Sequence, residues 1–148
     1  MSDDFDVLLN EAVEERATAA NTESVEILVG KNLVALKFTE LDSLDWANIT
    51  AAHPQRVNVP LDLQYGYNVH TASEAAAELS GVRVVDGVDT PLTKEQWKKL
   101  FKAIASPARG AITDVIWALN EFAPSQRLAA AKKASAVGSK QKPSSPAN

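Results

Sequence analysis

Two histidines, three aspartates and three serines are the residues of this 148-residue chain whose types and spacing invite a chemical reading. His53 and His70 stand 17 positions apart in a chain without cysteine, so a zinc site would need an added carboxylate such as Asp62. The sequence does not place that carboxylate, and each histidine has a plainer role. His53-Pro54 reads as a helix exit, and His70 as a polar group near a helix start. Asp42, Asp45 and Asp62 are candidates for paired acid–base work, which requires short separations and contrasting environments. Neither is legible here. Solvation and helix-start electrostatics account for Asp42 and Asp45, and turn hydrogen bonds for Asp62. Ser43, Ser73 and Ser106 have helix-start explanations and lack nucleophile-elbow spacing. The chain is expected to be no enzyme, with no catalytic residue, metal or cofactor.

Nucleotide chemistry lacks its usual signal as well. Gly30 belongs to a hairpin-like connection and Gly66 lies between Tyr65 and Tyr67, so no glycine-rich phosphate loop follows a strand. The two tyrosines could stack on bases, but Leu61-Asp62-Leu63 supplies no basic track beside them. Core or turn packing and a protein-binding surface are the readings left for them. The stretch from His53 to Asn68 is rich in proline, glycine, tyrosine and asparagine, a composition that favours specific turns over a long helix.

The elements that must position these residues follow from composition and periodicity. At 45% apolar residues, a chain of this length fills one modest core without a metal or disulfide staple. No run of eighteen apolar residues is present, and Met1-Ser2-Asp3-Asp4-Phe5-Asp6 is acidic where a secretory segment is basic and then apolar. A soluble protein with no membrane contact is expected. The net charge of −4 is distributed unevenly. Residues 1–26 carry eight acidic groups and one basic group, whereas residues 127–148 carry five basic groups and no acidic one. The ends are either solvated or drawn to each other, within a molecule or between copies, over a screening length of roughly 10 Å.

Residues 1–23 form the first segment, in which Phe5, Leu8, Leu9, Ala12, Val13 and Arg16 fall at helical intervals from Asp4 to Ala19. Its acidic face speaks against an anionic membrane, leaving a partner groove or the domain's own surface as its cover. Residues 24–124 are the expected domain. Val25, Ile27 and Val29 alternate, Gly30-Lys31-Asn32 turns the chain, and Val34, Leu36 and Phe38 alternate again, which predicts a small antiparallel β-hairpin. Leu41, Leu44, Trp46 and Ile49 mark a short helix ending before Pro54, and Thr71 or Ser73 introduces another around Ala75 to Leu79. Val82, Val84 and Val85 make a short strand or an extended connection. Thr93 and Gln96 have capping-box spacing ahead of the stripe Trp97, Leu100, Phe101 and Ile104. Ser106-Pro107 then opens a helix carrying Ile112, Val115, Ile116, Leu119 and Phe122.

Trp46, Trp97 and Trp117 are the expected structural core, and truncating Trp97 or Trp117 is expected to cost on the order of 3 to 5 kcal/mol. Pro124 is expected to close the folded part. Residues 125–148 read as a basic tail, helical from Gln126 to about Ala136 and disordered from Gly138. The fold class is therefore α+β: a helix-rich single domain around a small hairpin, with a flexible C-terminal tail.

The ordered series Val25 to Phe38, Leu41-Asp42-Ser43-Leu44-Asp45-Trp46, His53-Pro54 through Asp62, Gly66-Tyr67-Asn68, Trp97-Lys98-Lys99-Leu100 and Val115-Ile116-Trp117-Ala118-Leu119-Asn120 resembles the tail assembly chaperones of long-tailed bacteriophages infecting actinobacteria. The resemblance covers about residues 24 to 124. It implies a late viral assembly factor that binds the tape measure protein before or during polymerisation of the tail-tube protein, acting in the host cytoplasm and absent from the mature virion. It further implies a short product accompanied by a longer frameshifted form, with Ala129-Ala130-Ala131-Lys132-Lys133 near the boundary, and a possible homo-oligomer. The family supplies no catalytic residues. Leu8 and Leu9 on the first helix, and Tyr65 and Tyr67 near the turn, are the candidate protein-binding residues. A structural adaptor or neck protein retained in the virion is the alternative.

Overall fold

The computed structural model describes residues 2–140, with side chains from 4 to 137. Helix α1 (Ser2–Thr18) precedes strands β1 (Thr22–Val29) and β2 (Asn32–Thr39), followed by helices α2 (Ser43–Ala52), α3 (Pro60–Tyr65) and α4 (Val69–Ser80). Strands β3 (Gly81–Val85) and β4 (Val88–Pro91) come next, then α5 (Lys94–Ala103), α6 (Ser106–Trp117), a π-turn (Ala118–Phe122) and α7 (Ala123–Lys140). The class is α+β, mostly helical, with a four-stranded antiparallel sheet in the order β1-β2-β3-β4.

The expected first hairpin is present, in register from Thr22 opposite Thr39 to Val29 opposite Asn32. Gly30 turns it with φ 63°, the glycine-first pattern of a two-residue hairpin loop. The hairpin is nonetheless only half of the sheet. Asp86 and Gly87 both take positive φ, 51° and 77°, the pattern of a type I′ turn that suits strand twist. That turn folds β3 onto β4, and β3 adds to β2 with Phe38 opposite Gly81. Every residue of β4 is exposed, and Val88-Asp89-Thr90-Pro91 carries no apolar alternation to mark the fourth strand.

One face of the sheet is covered by helices. Ile27, Leu36 and Phe38 are buried together with Ala72, Ala76 and Ala77 of α4, Trp97 and Phe101 of α5, and Ile112 and Ile116 of α6. Alanines on α4 let that helix approach closely, and Phe38 then meets Trp97 with ring centroids 6.0 Å apart. Helix α5 starts with the expected reciprocal capping box, Gln96 N donating to Thr93 Oγ1 at 3.1 Å and Thr93 N donating to Gln96 Oε1 at 2.8 Å. Helix α4 begins at Asn68 rather than at Thr71 or Ser73, because the Asn68 carboxamide accepts from His70 N and Thr71 N. Trp46 and Trp97 are buried, whereas Trp117 is half-buried. It lies edge-on to Tyr65 at 5.8 Å and stacked on Phe122 at 5.5 Å.

Pro124 does not end the helix. Proline removes an N–H and its ring collides with the carbonyl four residues earlier, here Asn120. The π-turn immediately before it widens the helix, Ala123 N donating to Ala118 O five residues back, so helical backbone runs on through α7. From Ser106 to Lys140 it would span about 50 Å if straight. The C-terminal expectation is corrected likewise: helix persists past Ala136 and Gly138 to Lys140. Residues 141–148, on which the rest of the expected disordered tail falls, lie outside the described residues.

Candidate protein-binding site

Asp62 is completely buried, and its carboxylate organises the segment between α2 and α4. Arg56 donates to it three times, through N (2.9 Å) and Nε (2.8 Å) to Oδ2 and through a terminal guanidinium nitrogen to Oδ1 (3.0 Å). Val69 N adds a fourth bond to Oδ1 at 3.2 Å. Guanidinium bonding, followed by the backbone donors, holds this carboxyl far below the usual carboxylate range despite burial. Four accepted bonds fill its lone-pair positions, so Asp62 serves structure, which extends the turn role expected for it. Asp42 caps α2, accepting from Leu44 N at 2.8 Å, and Asp45 sits exposed in the first turn.

The histidines and serines are also built into local structure. His53 ends α2 by donating its N–H to Ile49 O, and its own carbonyl accepts from Asn68 N at 2.8 Å. His70 is half-buried with Nδ1 unpartnered among the described residues. Burial, followed by the nearby Arg109 and Arg56 charges, lowers its pKa, with Asp62 opposing. Ser73 is buried against Thr113, oxygen to oxygen 3.1 Å, while Ser43 and Ser106 open their helices. Among the described residues no group of three His, Asp or Glu side chains is arranged to hold a metal.

The four residues expected at a binding surface divide into two pairs. Leu8 and Leu9 are 60% and 48% exposed. Tyr67 is only 3% exposed, at 5.3 Å edge-on to Trp46 and 6.0 Å from Tyr65, so its ring belongs to the core and presents nothing to a partner. Tyr65 is half-buried, its hydroxyl donating to Asp114 Oδ1 at 2.5 Å. Gly66, between the two tyrosines, ends α3 at φ 90°, the left-handed cap conformation that glycine favours.

The surface that does stand free is on α1. Phe5, Leu8, Leu9 and Val13, at helical spacing, are all exposed. The helix is held at its other end, where Arg16 donates to Leu41 O at 3.0 Å and pairs with Glu40 at 3.5 Å. Glu40, nearly buried, also accepts from Asn21 at 2.9 Å and pairs with Arg127 of α7 at 3.2 Å. One carboxylate thus ties the roots of both terminal helices to the end of β2, beside a polar hollow of about 340 Å³. The π-turn completes this corner. Asn120 accepts from Leu41 N at 2.9 Å, and Glu121 accepts from Trp46 Nε1 at 2.6 Å.

Sequence reasoning missed this clasp because Glu40 and Arg127 are 87 positions apart, with no local pattern to join them. The Arg56–Asp62 pair did leave a signal: these are the only Asp, Glu, Lys or Arg residues between His53 and Val69. An arginine and an aspartate isolated together in a stretch otherwise free of charge imply mutual neutralisation where one is buried.

Fold and surface define an α+β domain that presents long helices at both ends of its chain. The chain matches no known family model, no curated protein and no solved structure. Among the described residues, no helix is long and apolar enough to cross a membrane.

Proposed function

We propose that this protein is a non-enzymatic tail assembly chaperone of a long-tailed bacteriophage, binding and solubilising the tape measure protein and promoting tail-tube polymerisation. The observation that carries this reading is the exposed stripe Phe5, Leu8, Leu9 and Val13 on a helix clasped to the body at its far end. An amphipathic helix of this kind pairs with an apolar strip on another helix, and a long helical client offers such strips repeatedly. Several copies along one client would then gain from multivalency. The ordered motif series between residues 24 and 124 supports the same reading by resemblance.

In this proposal residues 1–23 are the client-binding arm, 24–124 the chaperone-like body, and 125–148 a basic tail. Within it, Ala129-Ala130-Ala131-Lys132-Lys133 lies near the boundary with a longer frameshifted form. The protein acts in the host cytoplasm and leaves before the virion matures. Co-expression with the tape measure and tail-tube proteins encoded beside it, followed by pull-down and light scattering, tests the reading. Rescue of tape measure solubility in a complex of reproducible stoichiometry supports it. Absence of both rescue and complex, with each protein folded, overturns it. Stoichiometric retention of the chain in purified particles would favour the virion adaptor or neck protein instead.

A further inference from the structure

The stripe on α1 has a complementary surface elsewhere on the same chain. Between the sheet and α5 lies a groove of about 400 Å³ floored by Val34, Leu92 and Leu100, with Arg83 and Lys99 among its lining and, among the described residues, no carboxylate. Of the α5 lysines, Lys99 is the one on the groove side, exposed beside Gln96, Leu100 and Ala103. Helix α1 has the opposite character: Asp4, Asp6, Glu11, Glu14 and Glu15 are exposed around its apolar stripe. An acidic amphipathic helix and an apolar groove with a basic rim are matched in both polarity and charge.

The two surfaces stand at opposite ends of the first hairpin. The groove includes Val29 and Asn32 at the turn end, whereas α1 is rooted beside Thr22 and clasped by Glu40. Eight residues of β1, about 25 Å of strand, separate them. Leu8 and Leu9 accordingly remain exposed and do not enter their own groove.

We propose that α1 of one copy docks its Leu8–Leu9 stripe into the groove between α5 and the sheet of a second copy. The contact joins two different surfaces, so it is head-to-tail and extends into chains or closes into a ring. It is a property of the chain alone and stands whether or not the client reading does. Where the client reading holds, client and neighbouring copy compete for one stripe.

The test uses the full chain in sedimentation velocity and light scattering. For a small interface, the weight-average mass is expected to rise by about 1.5-fold or more between about 5 and about 200 µM, and less in high salt. Two double variants at exposed or rim positions, Leu8→Gln with Leu9→Gln and Arg83→Glu with Lys99→Glu, are each expected to remain monomeric, with circular dichroism confirming their fold. Mixed one to one, they should form a dimer and nothing larger, because one retains only its groove and the other only its arm. A wild-type chain monomeric throughout, association that survives either double variant, or a mixture that stays monomeric would each overturn the proposal. A monomer in which Leu8 is protected would identify docking within one chain instead, and would equally reject it.

Discussion

Arg56 and Asp62 meet through two guanidinium bonds, Nε to Oδ2 at 2.8 Å and a terminal nitrogen to Oδ1 at 3.0 Å, with the carboxylate fully buried and the arginine partly open to solvent. The pair, six positions apart, closes a loop containing Asn58 in the left-handed region at φ 64°, a conformation asparagine tolerates better than most residues. Asp62 also accepts from Val69 N at the start of α4. Loop and helix start are therefore held by one charge.

Asp62→Ala is expected to destabilise the fold by on the order of 3 kcal/mol, because it strands Arg56 N and Val69 N without acceptors and removes the ion pair. Urea unfolding at neutral pH measures this. The sign with pH follows from the lowered carboxyl pKa: the contribution is complete above the ordinary value of 3.8 and is lost as pH falls below it. Asp62→Ala should therefore be less acid-sensitive than wild type between about pH 4 and about pH 2.

His70 gives a second, milder pH dependence. Its pKa is lowered from 6.5 by burial, then by Arg109 and Arg56, so the unfolded chain takes up a proton before the folded one does. Stability should fall as pH drops below 6.5. His70→Gln should flatten this portion of the stability curve, and an unchanged slope in thermal unfolding between about pH 7.5 and about pH 5.5 would refute the assignment.

The tyrosines report at the other end of the scale. Burial, aided by its bond to Asp114 and the aspartate charge, pushes Tyr65 up to about 12. Burial followed by the Glu121 charge raises Tyr67 further. Both hydroxyls should resist ionisation through pH 10 in an absorbance titration, then ionise together with unfolding. The sign is a loss of stability as pH rises from 10, since the unfolded chain releases these protons first. Asp114→Asn should bring the Tyr65 transition down while leaving Tyr67 high.

Gly81 stands where α4 passes into β3, and an added Cβ there would lie 2.8 Å from Ala77 O, Phe38 Cε1 and Trp97 Cζ2 alike. None of these is the end of a flexible side chain. Gly81→Ala is expected to cost about 2 to 3 kcal/mol through overpacking, read by chemical denaturation. The effect should be smaller in a background where Trp97 has been replaced by Phe.

Much of this architecture was legible residue by residue. The alternation Val25-Ile27-Val29 and Val34-Leu36-Phe38 marked β1 and β2, Thr93 with Gln96 marked the start of α5, and Ser106-Pro107 marked that of α6. These features concern neighbours within a few positions, where backbone sterics, capping and period act directly. The exposure of Leu8 and Leu9 and the burial of Tyr67 were not legible, because an apolar side chain carries the same local signal whether a neighbour covers it or not.

The first hairpin, the capping box of α5, the apolar stripes and the opposed charges of the two ends follow from the amino-acid sequence alone, because all are short-range or additive properties. Tertiary structure alone decided that β3 and β4 complete the sheet and that the helix runs on through Pro124 by way of a π-turn. It also decided that Glu40 gathers Arg16 and Arg127 at one corner. Those outcomes depend on groups brought together across tens of residues, where burial and geometry, rather than local propensity, select the partner.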